Sequence, residues 1–219
     1  LFSASIDTDV RVWDIPRTSA PAANTDPAEN GGPPRDHTDT LLDEGSSAAR
    51  NALSVVYRGH ARSVAALALL PGGETLVSAG DDLSLRVWDV DSAKILRRMN
   101  QHTRPINALK VQPQNSGLPL IASASQDKTV RFWQPTIGRM VRYVRLDSVP
   151  LAIAWQADGA RIVAACVDGA VYVIDPIRVQ VTHRLPALDG WAYALAMHPH
   201  QPQVVVGGTN GQLKAISLP

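Results

Sequence analysis

An all-β fold built from repeated four-stranded units is what this sequence predicts, and three observations carry it. First, one phrase returns: SASIDTDVRVWD ends at Asp14, SAGDDLSLRVWD at Asp89 and SASQDKTVRFWQ at Gln134. Second, its tryptophan slot has a short period, 45 residues from Trp88 to Trp133, then 41 to Ile174 and 42 to Ile216. Third, short apolar and β-branched runs are separated by tight-turn chemistry, at Pro71-Gly72-Gly73, Asp158-Gly159, Asp168-Gly169 and Asn210-Gly211. A forty-odd-residue unit of four strands has the size of a propeller blade.

Alternation and turns place the strands in order. The first unit has strands at 1–6, 9–14 and 52–58, the second at 63–70, 74–80, 84–89 and 93–99. The third has 105–111, 119–125, 129–133 and 139–146, and the fourth 149–155, 160–166, 170–174 and 178–185. The last has 191–197, 203–207 and 212–217. The blades are therefore 1–58, 59–100, 101–146, 147–187 and 188–219, all in one partial propeller spanning 1–219. Prolines at 105, 113, 119, 150, 176, 186, 199 and 202 fall at strand starts or in connections, where a missing N–H is tolerated.

The spacing from Trp13 to Trp88 is 75 residues, about 33 too many for one unit, and the surplus sits at 16–52. That segment is rich in Pro, Gly, Ala, Asn and Ser, and three arginines face six carboxylates in it, a net charge of −3. With few large apolar residues it cannot offset its ordering entropy, so it reads as a disordered acidic insertion between two strands.

Composition removes several function classes. A net charge of +1 gives no general attraction to nucleic acid or anionic lipid. Cys166 is the single cysteine, so there is no internal disulfide and no cysteine-based zinc site, which fits a reducing compartment. No apolar run approaches the roughly 18 residues that span a bilayer. His198 and His200 have no evident third metal ligand, and no phosphate-binding glycine loop is present. Neither a metal nor any other cofactor is expected. Arg97, Arg98, Arg139, Arg142 and Arg145 fall on outer strands, where charge guards an edge against pairing, so nucleic acid is not an expected partner.

Gly59-His60 followed by Trp88-Asp89 is similar to the paired signature of the WD-repeat (WD40) family. The resemblance covers the chain outside 16–52 and is most specific in the first three units. It implies about four and a half blades of a seven-bladed ring, left incomplete here. The chain begins at Leu1 in a second strand and stops after a third, so it reads as the C-terminal fragment of a longer protein. The rest of the same propeller, upstream of Leu1, is then its first partner.

The resemblance also implies a structural hydrogen-bond network in each blade. The second unit supplies His60, Ser78, Asp82 and Trp88, the third His102, Ser123, Asp127 and Trp133, and the first Ser3, Asp7 and Trp13. Gln101 replaces the glycine before the third unit's histidine. The fourth unit has Ala164 and Ile174 for Ser and Trp, and the fifth has Val206, Asn210 and Ile216. Those two blades are expected to be held by apolar packing alone, having lost donor and acceptor together. A hydrolase is not indicated, because the Ser lies on an inner strand and no Gly-x-Ser-x-Gly elbow exists.

Family members bind other proteins on the narrower face, through positions three and five after the histidine slot and just before the turn Asp. Those positions are Ser63, Ala65 and Asp81; Pro105, Asn107 and Gln126; Val149, Leu151 and Val167; and Trp191, Tyr193 and Thr209. Trp191 and Tyr193 alternate on one strand and should face the same way. Candidate partner-binding residues are thus Trp191, Tyr193, Asn107, Gln126 and Asp81, and a non-catalytic scaffold for other proteins is the function implied. Two rivals stay open: an accessory propeller of a larger multidomain protein, for example a bacterial kinase- or cytochrome-linked one, and a propeller enzyme. Upstream sequence would reveal the first, and polar groups converging on the channel would be needed for the second.

Overall fold

The computed structural model describes residues 2–13, 53–113 and 117–219. The insertion at 16–52 and the side chain of Trp13 lie outside the described residues. Five antiparallel sheets follow the chain. The first is β1 (Phe2–Ala4), β2 (Val10–Trp13) and β3 (Leu53–Tyr57); the second is β4 (Val64–Leu69), β5 (Thr75–Gly80), β6 (Leu85–Asp89) and β7 (Ile95–Met99). The third is β8 (Ile106–Val111), β9 (Ile121–Ser125), β10 (Thr129–Gln134) and β11 (Arg139–Arg145). The fourth is β12 (Pro150–Trp155), β13 (Ile162–Cys166), β14 (Ala170–Asp175) and β15 (Gln180–Pro186), and the fifth β16 (Ala192–Met197), β17 (Gln203–Gly208) and β18 (Leu213–Ser217). Among the described residues no helix is long and apolar enough to cross a membrane.

The sheets stand side by side through their innermost strands: β4 touches β8, β8 touches β12, and β12 touches β16. β1 touches β4 as β5 touches β8, which gives β1 the place of a second strand. Each sheet is too thin to enclose a core of its own, so the apolar side chains meet between neighbours. Val77, Val87, Leu109, Ile121 and Trp133 fill the space between the second and third sheets. Phe132, Val144, Trp155, Ile162 and Tyr172 fill the next. Trp155 lies against Phe132 at 5.8 Å and donates its indole N–H to the Lys110 carbonyl across the gap (3.1 Å).

The middle strands β9 and β13 are buried at every residue, because both faces meet a neighbouring sheet. That explains their runs of small residues, IASAS and IVAAC, in place of the alternation expected of a one-sided strand. Outer strands such as β7 are exposed along most of their length and carry the charge.

In the first four sheets the turn between second and third strands places one residue in the left-handed region directly after its Asp, at Thr8 (77°), Leu83 (66°), Lys128 (63°) and Gly169 (73°). Gly169 is there for a further reason: a Cβ would come within 2.2 Å of the Leu188 carbonyl and 2.5 Å of the Gly190 carbonyl. Gly169→Ala should therefore lower stability by about 2 kcal/mol, measured by urea unfolding, as left-handed strain adds to a backbone clash. Lys128→Ala, at the same slot with room for a side chain, should be within about 0.5 kcal/mol of the parent.

Candidate functional site

In the second sheet the turn between β5 and β6 holds Asp82 beneath His60. His60 Nδ1 lies 2.9 Å from Asp82 Oδ2, and Nε2 lies 2.6 Å from Ser78 Oγ. Trp88 Nε1 donates to the same Ser78 Oγ at 2.7 Å. The third sheet repeats this set, with His102 Nδ1 to Asp127 at 2.7 Å, Nε2 to Ser123 Oγ at 2.7 Å, and Trp133 Nε1 to Ser123 Oγ at 2.8 Å. Trp88 and Trp133 are fully buried. One proton arrangement satisfies every group: Trp N–H donates to Ser, Ser O–H donates to His Nε2, and His Nδ1–H donates to Asp. A second proton on the imidazole would leave Ser with two incoming donors and its own hydrogen without an acceptor.

The electrostatics agree with that arrangement. Burial pushes His60 below its ordinary range despite Asp82, with Arg86 and Arg98 adding to the push. Burial does the same to His102 against the pull of Asp127. Burial opposes the charge on Asp82, but the Ser84 hydroxyl, the Ala61 amide and His60 outweigh it and hold the carboxyl at about 2. Asp127 is likewise buried, and His102 and Thr129 hold it below the carboxylate range.

Two groups in this network escaped the sequence reading. Ser84 and Thr129, two residues after the Asp, each donate hydroxyl and amide to its Oδ1. Arg86 and Arg131, four residues after, pair with its Oδ2 at 3.1 and 3.4 Å. The signal was visible as the recurring Arg of VRVW, LRVW and VRFW. Gly59 packs against the same group, since a Cβ there would come within 3.0 Å of Ile95, Arg86 and Trp88. In the first sheet Asp7 pairs with Arg11 in this way, and Ser3 lies opposite Arg11 in the β1–β2 register.

The expectation that the last two blades rest on apolar packing alone is corrected. In the fourth sheet Asp168 Oδ2 accepts from the Tyr172 hydroxyl at 2.9 Å and from Arg184 Nη2 at 2.8 Å. The Arg184 guanidinium lies over the Tyr172 ring, 5.8 Å from its centroid. Tyr172 and Arg184 are register partners on the third and fourth strands, as Arg131 and Tyr143 are in the third sheet. There the cation and ring are exchanged, with Arg131 5.4 Å over Tyr143. The Asp anchor persists because either order brings a donor to it. In the fifth sheet Asn210 and Gln212 hold the Asp189 backbone, at 3.4 and 3.3 Å.

The end of each sheet next to these turns is built alike. The residue before the turn Asp or Asn donates its backbone N–H to the residue preceding the first strand: Asp81 to Ser63, Gln126 to Pro105, Val167 to Val149 and Thr209 to Trp191. Just beyond, the first strand bulges at Ala65, Asn107, Leu151 and Tyr193. One of these bulges lies at the aromatic pair of the fifth sheet. Trp191 precedes β16, Tyr193 is the extra residue of the bulge, and both are exposed on either side of the buried Ala192.

Trp191 is 54% exposed, yet its backbone is fixed by Thr209, whose Oγ1 accepts the Trp191 N–H at 3.1 Å. It lines a cleft of about 690 Å³ that Gln126, Val149, Leu151 and Val167 share with charged residues of the third sheet. Tyr193 is 53% exposed and does not line that cleft. Asn107 is engaged elsewhere: its Nδ2 donates to the Pro150 carbonyl (2.8 Å), joining third and fourth sheets, while its Oδ1 accepts from Gln126 (3.4 Å). Asp81 stands on the second sheet, away from the cleft, with no ion pair among the described residues. His198 Nδ1 accepts the backbone N–H groups of His200 and Gln201, an ordinary loop contact.

Adjacent sheets of three or four antiparallel strands, meeting through their inner strands and with an Asp-anchored turn in the first four, define a repeat β-propeller. The family model for the WD domain, G-beta repeat, matches residues 51–89 and 93–134. Those two stretches are WD repeats, and the chain is similar to other proteins over part of its length. It is 29% identical over 133 residues to THO complex subunit 3 of Arabidopsis thaliana, covering 58% of this chain and 41% of that protein. It is 33% identical over 104 residues to a Periodic tryptophan protein 2 homolog of Mus musculus, covering 46% and 11%. It is 27% identical over 123 residues to Cell division cycle 20.1, cofactor of APC complex, of Arabidopsis thaliana, covering 53% and 27%. The matched stretch thus spans less than half the length of each of these relatives.

Proposed function

We propose that this chain is a non-catalytic scaffold that presents the turn-bearing face of its blades to partner proteins, with Trp191 as its principal anchor. The observation that carries the reading is an exposed tryptophan on a fixed backbone, lining a cleft beside Val149, Leu151 and Val167. Aromatic anchors of this kind dominate binding energy, and a backbone ordered in advance leaves less entropy to lose on association. Relatives named as a complex subunit and as a cofactor of a complex support the same class of work. Asp81 and Tyr193 serve as outlying contacts of the face. Gln126 is a wall of the cleft, and Asn107 holds that wall in place.

Crosslinking of the full-length protein in its own cells, with recovery and quantification of proteins joined to this face, tests the reading. Trp191→Ala should reduce partner recovery by the equivalent of about 2 kcal/mol. It should change stability by less than about 0.5 kcal/mol, as for an exposed side chain. A large fall in melting temperature would assign Trp191 to packing, and unchanged recovery would remove it from the interface.

A further inference from the structure

Resting on that reading of the face, we propose that the cleft beside Trp191 takes an extended acidic peptide segment. Its carboxylates meet the third blade, and its large apolar side chains lie on the fourth blade and on Trp191.

The cleft is chemically two-sided. Its floor is Val149, Leu151 and Val167, closed by Trp191. Its rim on the third blade is Arg104 before β8, Lys128 in the β9–β10 turn and Arg145 at the end of β11, all exposed. Among the described residues none of these three cations forms an ion pair. Lys128 Nζ donates to the backbone carbonyl of Asp147 (3.0 Å), which fixes its charge on the rim without neutralising it. The one carboxylate in the lining, Asp127, is turned inward to His102, Thr129 and Arg131.

This cationic rim is particular to the third blade. Arg145 pairs with Thr129 across β10 and β11, and the same register slot holds the uncharged Asn100 in the second blade, one residue past the Leu85–Met99 pair, and Pro186 in the fourth. The turn slot of Lys128 holds Leu83 and Gly169 there. Edge protection does not account for the rim, since Lys128 is in an inner turn and all three side chains border the cleft.

A volume of about 690 Å³ accepts a few peptide side chains. Guanidinium forks recognise carboxylates through paired, charge-assisted hydrogen bonds. At about 3.3 Å per extended residue, a carboxylate on the rim and an apolar side chain on the floor belong to one short segment. Nucleic acid fits less well: the floor is aliphatic, Trp191 offers a single stacking surface, and the chain's net charge is +1.

The test is selection of random peptides on the full-length protein, followed by fluorescence anisotropy with individual selected peptides. Enriched sequences should combine two or more Asp or Glu with a nearby Leu, Ile, Phe or Trp. Arg104→Glu with Arg145→Glu should weaken them by roughly a hundredfold, and added salt should weaken the parent complex. Both substitutions are at exposed positions, so thermal melting should not change. Enrichment of neutral peptides that depend on Trp191 but not on the rim would overturn the acidic ligand and leave the scaffold reading standing. If neither Trp191→Ala nor the charge reversal affects any selected peptide, both fall. An RNA oligonucleotide that binds as tightly as the best peptide and competes with it would also overturn the proposal.

Discussion

Asp127→Ala should destabilise the protein by about 3 kcal/mol, while Asp168→Ala, the same turn position one blade later, should cost about 1 kcal/mol. The difference lies in what each carboxylate satisfies. Asp127 has a side chain only 5% exposed and accepts from His102, Thr129, Arg131 and the Thr103 amide. Removing it leaves the buried imidazole N–H with no acceptor and Arg131 with no counter-charge. The Ser123 and Trp133 donors then rest on a histidine that is no longer oriented. Asp168 is 27% exposed and its partner Arg184 49%, so water can replace much of what is lost. Urea unfolding followed by tryptophan fluorescence reads both variants. Asp127→Asn, which keeps one acceptor oxygen, should fall between Asp127→Ala and the parent. Equal losses at Asp127 and Asp168 would show that the blades do not differ in their dependence on the turn carboxylate.

That contrast also shows how much of the molecule could be read from its sequence. The repeated Trp-Asp phrase revealed period, strand order and turn positions, because each depends on local residue type. His60, Ser78, Asp82 and Trp88 meet at 2.6–2.9 Å, as do their counterparts in the third blade. Their identities were legible because four polar groups recur at fixed places among apolar neighbours. The fourth blade was misread because its replacement for the network is not local in sequence: Tyr172 and Arg184 sit on different strands and meet only through register. Absence of Ser and Trp suggested a blade without polar contacts, yet the retained Asp168 needed donors of some kind.

The bulges at Asn107 and Tyr193 were invisible for a related reason. Nothing in the side chains marks a bulge; it arises where the first strand bends to follow the next sheet. At Asn107 the side chain at the bulge reaches the Pro150 carbonyl of the next sheet. The cleft draws on three blades, so its cations and its apolar floor lie as far apart in sequence as Arg104 and Trp191. Charge counting assigned Arg145 to an outer edge. Only the register across β10 and β11 brings it to the same rim as Lys128.

Stability should fall steadily as pH drops from about 6.5 toward 2, by several kcal/mol in all, and should be nearly flat from pH 7 to 8. His60 and His102 have folded pKa values below the ordinary 6.5, because burial disfavours their charge more than Asp82 and Asp127 favour it. The unfolded chain therefore takes up two protons below pH 6.5 that the folded chain refuses, and unfolding gains. Arg86 and Arg98 beside His60, and Arg131 beside His102, act in the same direction. The carboxylates follow at lower pH. Asp82 is held at about 2, so between its ordinary 3.8 and that value only the unfolded chain is protonated there. Asp127 is depressed further and extends the same loss. All four shifts have one sign, so no compensating rise is expected from this network. Urea midpoints measured across the range give the slope, and His102→Gln should remove part of the loss near pH 6 while lowering stability at pH 7. Nitrogen chemical shifts of the two imidazoles should report the neutral, Nδ1-protonated form at pH 7. A midpoint that rises on acidification from pH 7 to 5, or imidazoles doubly protonated at pH 7, would overturn the proton arrangement of the two blades.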